Sequence, residues 1–287
     1  MKIGISGASG FVGSELCKQM VNRHEVVKFS RREKGGNRLW SIASKPDLSG
    51  LDAFINLAGE SIMGLWTPDK RQRISDSRVM GTRRLVEALG EKGNTVKTLV
   101  NASAIGFYGD TGEHKVDETS PAGSGFLAEV CQRWEAEALK AEEYGVRVVR
   151  VRIGFVLGKG GAMKLIKPVF SLGLGGNLGS GRQWMSGVHV EDVAGAFLWA
   201  TENDGVTGPV NAVIPEPFRN GEFTRQLAHA LHRPAFLPVP AFAMRLILGR
   251  LSSLLLDSSR VLPRALKEGG YRYRHPSLTN ALICCLE

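Results

Sequence analysis

The stretch "MKIGISGASGFVGSELCKQM", residues 1–20, decides the fold. Lys2 to Ser6 reads as a short apolar strand, and an amphipathic run from Phe11 to about Asn22 reads as a helix. Between them lies a turn with glycines at 7, 10 and 13, and each has a specific use. Gly7 permits a tight turn, Gly10 lets the backbone approach a pyrophosphate, and Gly13 lets the helix pack closely on the sheet. The helix N-terminus then offers backbone amides, those around Ser9, Phe11 and Val12, to a negative group. With a strand before it and a helix after it, this pattern points to a dinucleotide phosphate site; a glycine-rich turn without a ligand is the competing account.

Further along, "EVVKFSR" follows as a second strand, "LDAFINLAG" as a third, Leu99 to Ser103 as a fourth and Val146 to Val151 as a fifth. The strands are apolar along their whole length, and the intervening segments are long enough for crossover helices. That alternation predicts an α/β fold, a doubly wound parallel sheet with helices on both faces. After about residue 155 glycine-rich loops surround a helix, "MKLIKPVFSLG", which predicts a small cap over the carboxyl edge of the sheet through about residue 190. "HVEDVAGAFLWATEN" returns as a helix and "VNAVI" as a strand. Residues 234–287, punctuated by proline and rich in leucine, predict a small helical C-terminal domain beside a nucleotide-binding domain of residues 1–233.

The end of the second strand selects the dinucleotide. A carboxylate there would accept from ribose hydroxyls, but this chain has Ser30, Arg31 and Arg32, which suit a 2′-phosphate and hence NADP. Solvated surface arginines are the alternative. The small residues of Asn56, Leu57, Ala58 and Gly59 at the end of the third strand leave room for the adenosine half of such a cofactor.

The chain has 287 residues, 43% of them hydrophobic, enough for a substantial core. Its formal net charge of +9 is spread along the sequence, so it fits a phosphorylated small molecule as well as a polyanion. No recognition motif or basic-aromatic stripe supports a nucleic-acid partner. Cys17, Cys131, Cys284 and Cys285 show no framework spacing, which suggests a reducing, cytoplasmic setting. No stretch is long and apolar enough for a membrane span, and no signal segment precedes the first strand. Of six histidines only His229 and His232 stand close in sequence, without clustered cysteine or acid partners, so no metal is expected.

The segments "NLAGESI", "SRVMGTRRLVEAL", "SAIGFYGD", "GFLAEVCQRWE", "RIGFVLGKGGA", "LGLGGNLGSGRQWMSGVHVEDVA", "FLPVPAFAMRLILGR" and "LPRALKEGGYRY" cover nearly the whole chain. Together they resemble the extended short-chain dehydrogenase/reductase superfamily. Within it they resemble the epimerase-family branch related to human short-chain dehydrogenase member 39U, with its C-terminal domain of unknown function. The resemblance implies a Rossmann-type fold and a nicotinamide dinucleotide.

One departure from that superfamily is physical. Its reductases and epimerases use a tyrosine as acid or base and a lysine four residues later on the same helix face. Here the corresponding pairs are Phe126 with Val130, or Leu127 with Cys131 after a one-residue slip. None of the four tyrosines, Tyr108, Tyr144, Tyr271 and Tyr273, is followed by lysine at the fourth position. Tyr108 could supply a phenol from another direction, or could simply pack at the strand edge. Alignment on "YG" places Ala104 where the superfamily has its hydroxyl, and a one-residue shift gives Ser103, the preferred candidate.

The resemblance also implies that Arg78 replaces an asparagine near the nicotinamide, so it is a candidate cofactor or substrate contact. Arg182 and Trp184 are candidate substrate contacts, with His189 and Asp192 assigned to structure. Arg152 is expected on the pocket floor. Glu113, Asp117 and Glu118 precede the altered helix and could include a general acid, although a solvated loop explains them too. Two functions follow: an NADP(H)-dependent oxidoreductase or epimerase acting on a small hydroxyl, carbonyl or sugar-nucleotide compound, or a non-catalytic or weakly catalytic NADP(H)-binding sensor or scaffold; a homodimer is the candidate assembly.

Overall fold

A computed structural model describes residues 1–31 and 35–286. The main sheet is built from β1 (Lys2–Ser6), β2 (Glu25–Ser30), β3 (Arg38–Leu39), β4 (Ala53–Asn56), β5 (Thr98–Ala104), β6 (Arg147–Ile153) and β10 (Gly208–Ala212), in the order β10-β6-β5-β4-β1-β2-β3. Every pairing is parallel. The expected doubly wound architecture is therefore present. The strand order reverses between β1 and β4, and in such sheets ligands bind in the crevice outside the strand ends at that switch point.

Alternation within the strands divides the core in two. Ile3, Ile5, Ala53, Ile55, Val100 and Ala102 face the layer of α1 (Phe11–Met20) and α5 (Val190–Glu202), where Leu16, Met20, Val193 and Phe197 meet them. Phe54, Leu99 and Val148 face the opposite layer of α2 (Pro68–Leu89) and α3 (Phe126–Leu139), against Leu85, Leu89 and Ala138. Both faces are covered, so the polar residues these strands carry, Asn101, Ser103, Arg152 and Asn211 among them, are buried and hydrogen-bonded instead of facing solvent. The long helix α2 starts where Thr67 accepts from the Lys70 amide at 3.2 Å and Pro68 presets the first helical φ. The first helix ends at Met20, two residues before the expected Asn22, which has φ of 67°.

Residues 155–190, where the sequence predicts a cap, hold β7 (Phe155–Leu157), α4 (Met163–Ser171), β8 (Trp184–Met185) and β9 (Gly187–His189). Strand β7 pairs parallel with β9, and β8 pairs antiparallel with β11 (Phe218–Arg219), which leads into α6 (Asn220–Ala230). The C-terminal segment forms α7 (Ala241–Leu248), α8 (Ser253–Leu256), α9 (Arg264–Glu268) and α10 (Leu278–Leu286). It shares its core with the rest of the chain: Leu266 joins the α1/α5 layer, while Leu278, Ala281 and Leu282 pack with Leu157, Phe218 and Phe223. Among the described residues no helix is long and apolar enough to cross a membrane.

Candidate functional site

The glycine turn closes tightly on the switch point. Gly7 has φ of 70°, and its carbonyl accepts from the Gly10 amide at 2.9 Å. A Cβ on Gly13 would stand 2.2 Å from the Gly7 carbonyl oxygen, and one on Gly7 would stand 2.7 Å from that of Leu57. Helix α1 has Gly10 at its N-cap and no side-chain acceptor, so its first-turn amides are available to an external anion. Ser9 and Gly10 are exposed, and Phe11 and Val12 half-buried. The glycine loop after β7 covers Phe11: a Cβ on Gly160 would stand 2.6 Å from its ring.

Across the turn, the amides of Leu57 and Ala58 both donate to Ser6 Oγ at 3.2 Å. Gly59 is exposed beyond them. The side chain of Asn56, a residue expected to border the cofactor, is turned into the protein. It is 2% exposed, accepts from Ser6 Oγ at 2.7 Å and donates to Thr82 Oγ1 and Asn101 Oδ1 at 3.0 and 2.7 Å. A saturated, buried amide ties the strand ends together and leaves the crevice to the backbone. At the end of β2, Ser30 is half-buried and Arg31 exposed, while Arg32 lies outside the described residues.

Arg78 reaches this crevice from α2. Its Nη1 donates to the carbonyls of Glu60 and Ile74 at 3.0 and 3.2 Å, and its guanidinium lies over the Trp134 indole at 5.3 Å. A Cβ on Gly59 would meet that guanidinium at 3.1 Å. Burial lowers the Arg78 pKa, opposed by the nearby Cys131 and Glu60. Glu60 is held below its ordinary value first by Lys70, which donates to it at 2.6 Å, and also by Arg73 and Arg31.

The altered helix can now be assigned a register. Phe126 points to Trp66, with ring centroids 5.3 Å apart, whereas Leu127 packs where a Cβ on Gly106 would meet it at 3.2 Å. Cys131 lies against Ser103 and Ala104, so Leu127 and Cys131 face the end of β5. Burial first, then the Glu135 charge, pushes the Cys131 thiol up to about 11. It stays a neutral thiol, consistent with packing rather than nucleophilic use.

Glu135, four residues beyond Cys131, is the residue that sequence reasoning missed. Ser103 Oγ donates to it at 2.7 Å, and Arg152 grips it at two points, each 2.8 Å. Arg152 also donates to the Tyr108 hydroxyl at 2.8 Å, which in turn donates to Asn211 Oδ1 at 2.9 Å. Arg152 is 3% exposed, with its guanidinium 3.5 Å from the centre of the Phe107 ring. It is therefore a buried ion-pair partner instead of an open substrate contact. Ser103 and Tyr108 are brought into the same chain of bonds, at 2% and 4% exposure, and burial raises the Tyr108 pKa. Both hydroxyls are committed to protein partners, which argues against the acid–base role expected for them. The signal for Glu135 was its position on the face of Leu127 and Cys131, one turn further along.

The other polar candidates separate. Arg182 is exposed, and its carbonyl accepts from Arg219. Trp184 is sandwiched between Arg219 and Arg260, each guanidinium 4.1 Å from its ring, and donates to Glu113 at 2.9 Å. Hydrogen bonds from Arg219 and then Trp184 hold Glu113 at about 2, so it stays ionised and does not serve as a general acid. Asp117 is lowered mainly by Thr119. Glu118 is half-buried and raised by desolvation, yet it accepts from the amides of Asn211, Arg264 and Ala265 and so pins α9 to β10. Asp192 has the structural place expected of it, with its carboxylate accepting from the Arg274 and His275 amides at 2.7 and 2.9 Å.

The fold has close counterparts. The structure of human epimerase family protein SDR39U1 (isoform 2), determined with NADPH, superposes with a TM-score of 0.91 at 33% identity, covering 99% of both chains. The chloroplastic SDR39U1 homolog of Arabidopsis thaliana is 35% identical, over 100% of this chain and 87% of its own. An epimerase family protein of Mycobacterium bovis is 38% identical, over 98% of this chain and 96% of its own. Residues 239–283 match a domain of unknown function, DUF1731. Residues 3–212 match the NAD dependent epimerase/dehydratase family, and with the glycine turn, the parallel sheet and these relatives the chain belongs to that family.

Proposed function

We propose that this protein binds NADP(H) and acts as an oxidoreductase or epimerase on a small hydroxyl, carbonyl or sugar-nucleotide substrate. One observation carries the reading: the uncapped N-terminus of α1 and the side-chain-free turn of Gly7, Gly10 and Gly13 open at the switch point between β1 and β4. The NADPH in the human SDR39U1 structure supports the choice of nucleotide. Ser9, Phe11 and Val12 would place amides around the pyrophosphate, Leu57 to Gly59 would border the adenosine half, and Ser30, Arg31 and Arg32 would take the 2′-phosphate. The dinucleotide supplies a hydride acceptor or donor.

This chain's own residues then hold and orient. Leu127 and Cys131 occupy the places of the tyrosine and lysine pair, and neither supplies a proton or a cation. Arg78, against Gly59 and beside Cys131, brings a positive charge to the same corner from α2. It is the group we assign to an anionic or electron-rich substrate oxygen. Ser103, Glu135, Arg152 and Tyr108 act as positioning residues beneath it. Arg182 and Trp184 border the substrate side under the cap.

The test is a fluorescence titration of nucleotide-stripped protein with NADPH and NADH in parallel. Saturable NADPH binding with NADH weaker by about tenfold or more supports the reading, since that factor is about 1.4 kcal/mol and within reach of one phosphate–arginine contact. If neither nucleotide binds, the glycine turn is structural and the proposal is withdrawn.

A further inference from the structure

Residues far apart in sequence meet at the start of α5. His189 caps that helix, Glu191 lies in its first turn, His275 stands in the loop before α10, and Cys284 lies on α10 itself. One potential ligand atom from each lies within 4.8 Å of all the others. The geometry points to a four-ligand site for a borderline-soft divalent cation, of which Zn²⁺ is the type, formed by His189, Glu191, His275 and Cys284.

The donor set fits that cation. Two imidazoles, a thiolate and a carboxylate match the nitrogen, sulfur and oxygen ligands of closed, tetrahedral zinc sites, whereas Mg²⁺ and Ca²⁺ take oxygen. Zinc bonds of about 2.0–2.3 Å place tetrahedral ligand atoms roughly 3.3–3.8 Å apart. His275 Nε2 and Glu191 Oε2 are already 3.3 Å apart, and the two imidazole centroids are separated by 4.0 Å. Contraction of about 1 Å among the remaining pairs completes the shell.

The Asp192 carboxylate fixes the His275 backbone, and Gln19 of α1 donates to the Glu191 carbonyl at 3.0 Å, so two contacts hold the ligand-bearing backbone in place. The 3.3 Å contact from the Glu191 amide to His189 Nδ1 would be given up on binding, because an imidazole that ligates through Nε2 carries its proton on Nδ1 and one that ligates through Nδ1 has no lone pair left there. The competing arrangement is an ion cluster alone, because Arg274 Nη1 also stands 3.3 Å from Glu191 Oε2. A bound cation would displace that contact and tie the C-terminal segment to the α1/α5 layer. The inference does not depend on nucleotide binding.

The experiment uses full-length protein, reduced and stripped with a chelator. It is titrated with ZnCl₂ in competition with a chromophoric chelator, and separately with CoCl₂ while the absorption spectrum is followed. Expected are saturation at about one equivalent, the intense visible bands of four-coordinate cobalt, and a thiolate-to-cobalt charge-transfer band. His275→Ala should weaken Zn²⁺ binding by about tenfold or more, with a cooperative melt showing that it folds. Cys284→Ser, the smaller change, should abolish the charge-transfer band and provides the decision if His275→Ala does not fold. No saturable Zn²⁺ binding, a pale octahedral cobalt spectrum, or affinity and spectrum unaltered in Cys284→Ser would each overturn the site.

Discussion

Arg152 and Glu135 form a two-point ion pair where α3 covers the ends of β5 and β6, with both side chains 3% exposed. The pair is satisfied on every side that the structure shows: Ser103 donates to the carboxylate, and the guanidinium bonds Tyr108 and stacks on Phe107. Arg150 Nη1 also stands 3.3 Å from the Glu135 carboxylate, so Glu135 keeps a cation when Arg152 is removed, whereas removing Glu135 leaves the buried Arg152 charge unpaired. Glu135→Gln should therefore cost about 3–5 kcal/mol in denaturant unfolding, Arg152→Leu less because Arg150 remains beside the carboxylate, and the double variant less than the sum. A loss below about 1 kcal/mol for Glu135→Gln would show that water reaches the pair.

Gly13→Ala should abolish NADPH binding and destabilise the protein by roughly 1–3 kcal/mol, because its methyl group would collide with the Gly7 carbonyl at 2.2 Å. Gly10→Ala, whose Cβ meets the same oxygen at 3.1 Å, should fold more nearly as the parent. Parallel melts and NADPH titrations check both. Equal NADPH affinity in Gly13→Ala and the parent would move the nucleotide site elsewhere.

Arg31→Glu should reduce the preference for NADPH over NADH by about tenfold or more, since it puts a carboxylate where a 2′-phosphate would lie. The ratio of the two dissociation constants is the measurement. An unchanged ratio would assign the phosphate contact to other groups.

Arg78→Ala should lower kcat/KM for any substrate found by about 10²-fold, with Arg78→Lys recovering part of the loss. Equal kcat/KM in all three proteins would return Arg78 to a packing role over Trp134.

Cys131 should resist iodoacetamide at pH 8 in the folded protein and react only on unfolding. Its thiol is raised from 9.0 to about 11 by burial, so the folded state holds the proton more tightly than the unfolded chain. The stabilising contribution is thus complete below about pH 9 and is lost as pH rises through about 11. Its size is on the order of 2–3 kcal/mol, and Cys131→Ala should flatten that alkaline loss. Rapid alkylation of native protein at pH 8 would contradict the burial.

Much of the fold is legible in short segments. The glycine turn and the alternation of strand-like with helix-like segments specify a parallel sheet covered on both faces, and the absent Tyr and Lys are visible by direct inspection. Arg38–Leu39 escaped notice because a two-residue strand has no measurable period. Asn56 looked like a cofactor contact because it ends a strand beside the crevice. Its three side-chain bonds come from β1, β5 and α2, and no local pattern specifies them. The expected roles of Ser103, Tyr108 and Arg152 changed for the same reason: proximity to the strand ends is a sequence property, while burial is not.

By itself the sequence determined the doubly wound sheet, the position of the glycine turn and the loss of the usual proton-transfer pair. These depend on φ angles, side-chain volume and periodicity within ten or twenty residues, and such constraints are written locally. Only the tertiary structure decided that Glu135 receives Arg152, that Arg78 comes to lie against Gly59, and that His189 and His275 meet beside Glu191 and Cys284. Those relationships join side chains from different elements. They are set by how helices pack across a sheet, and spacing along one element cannot encode them.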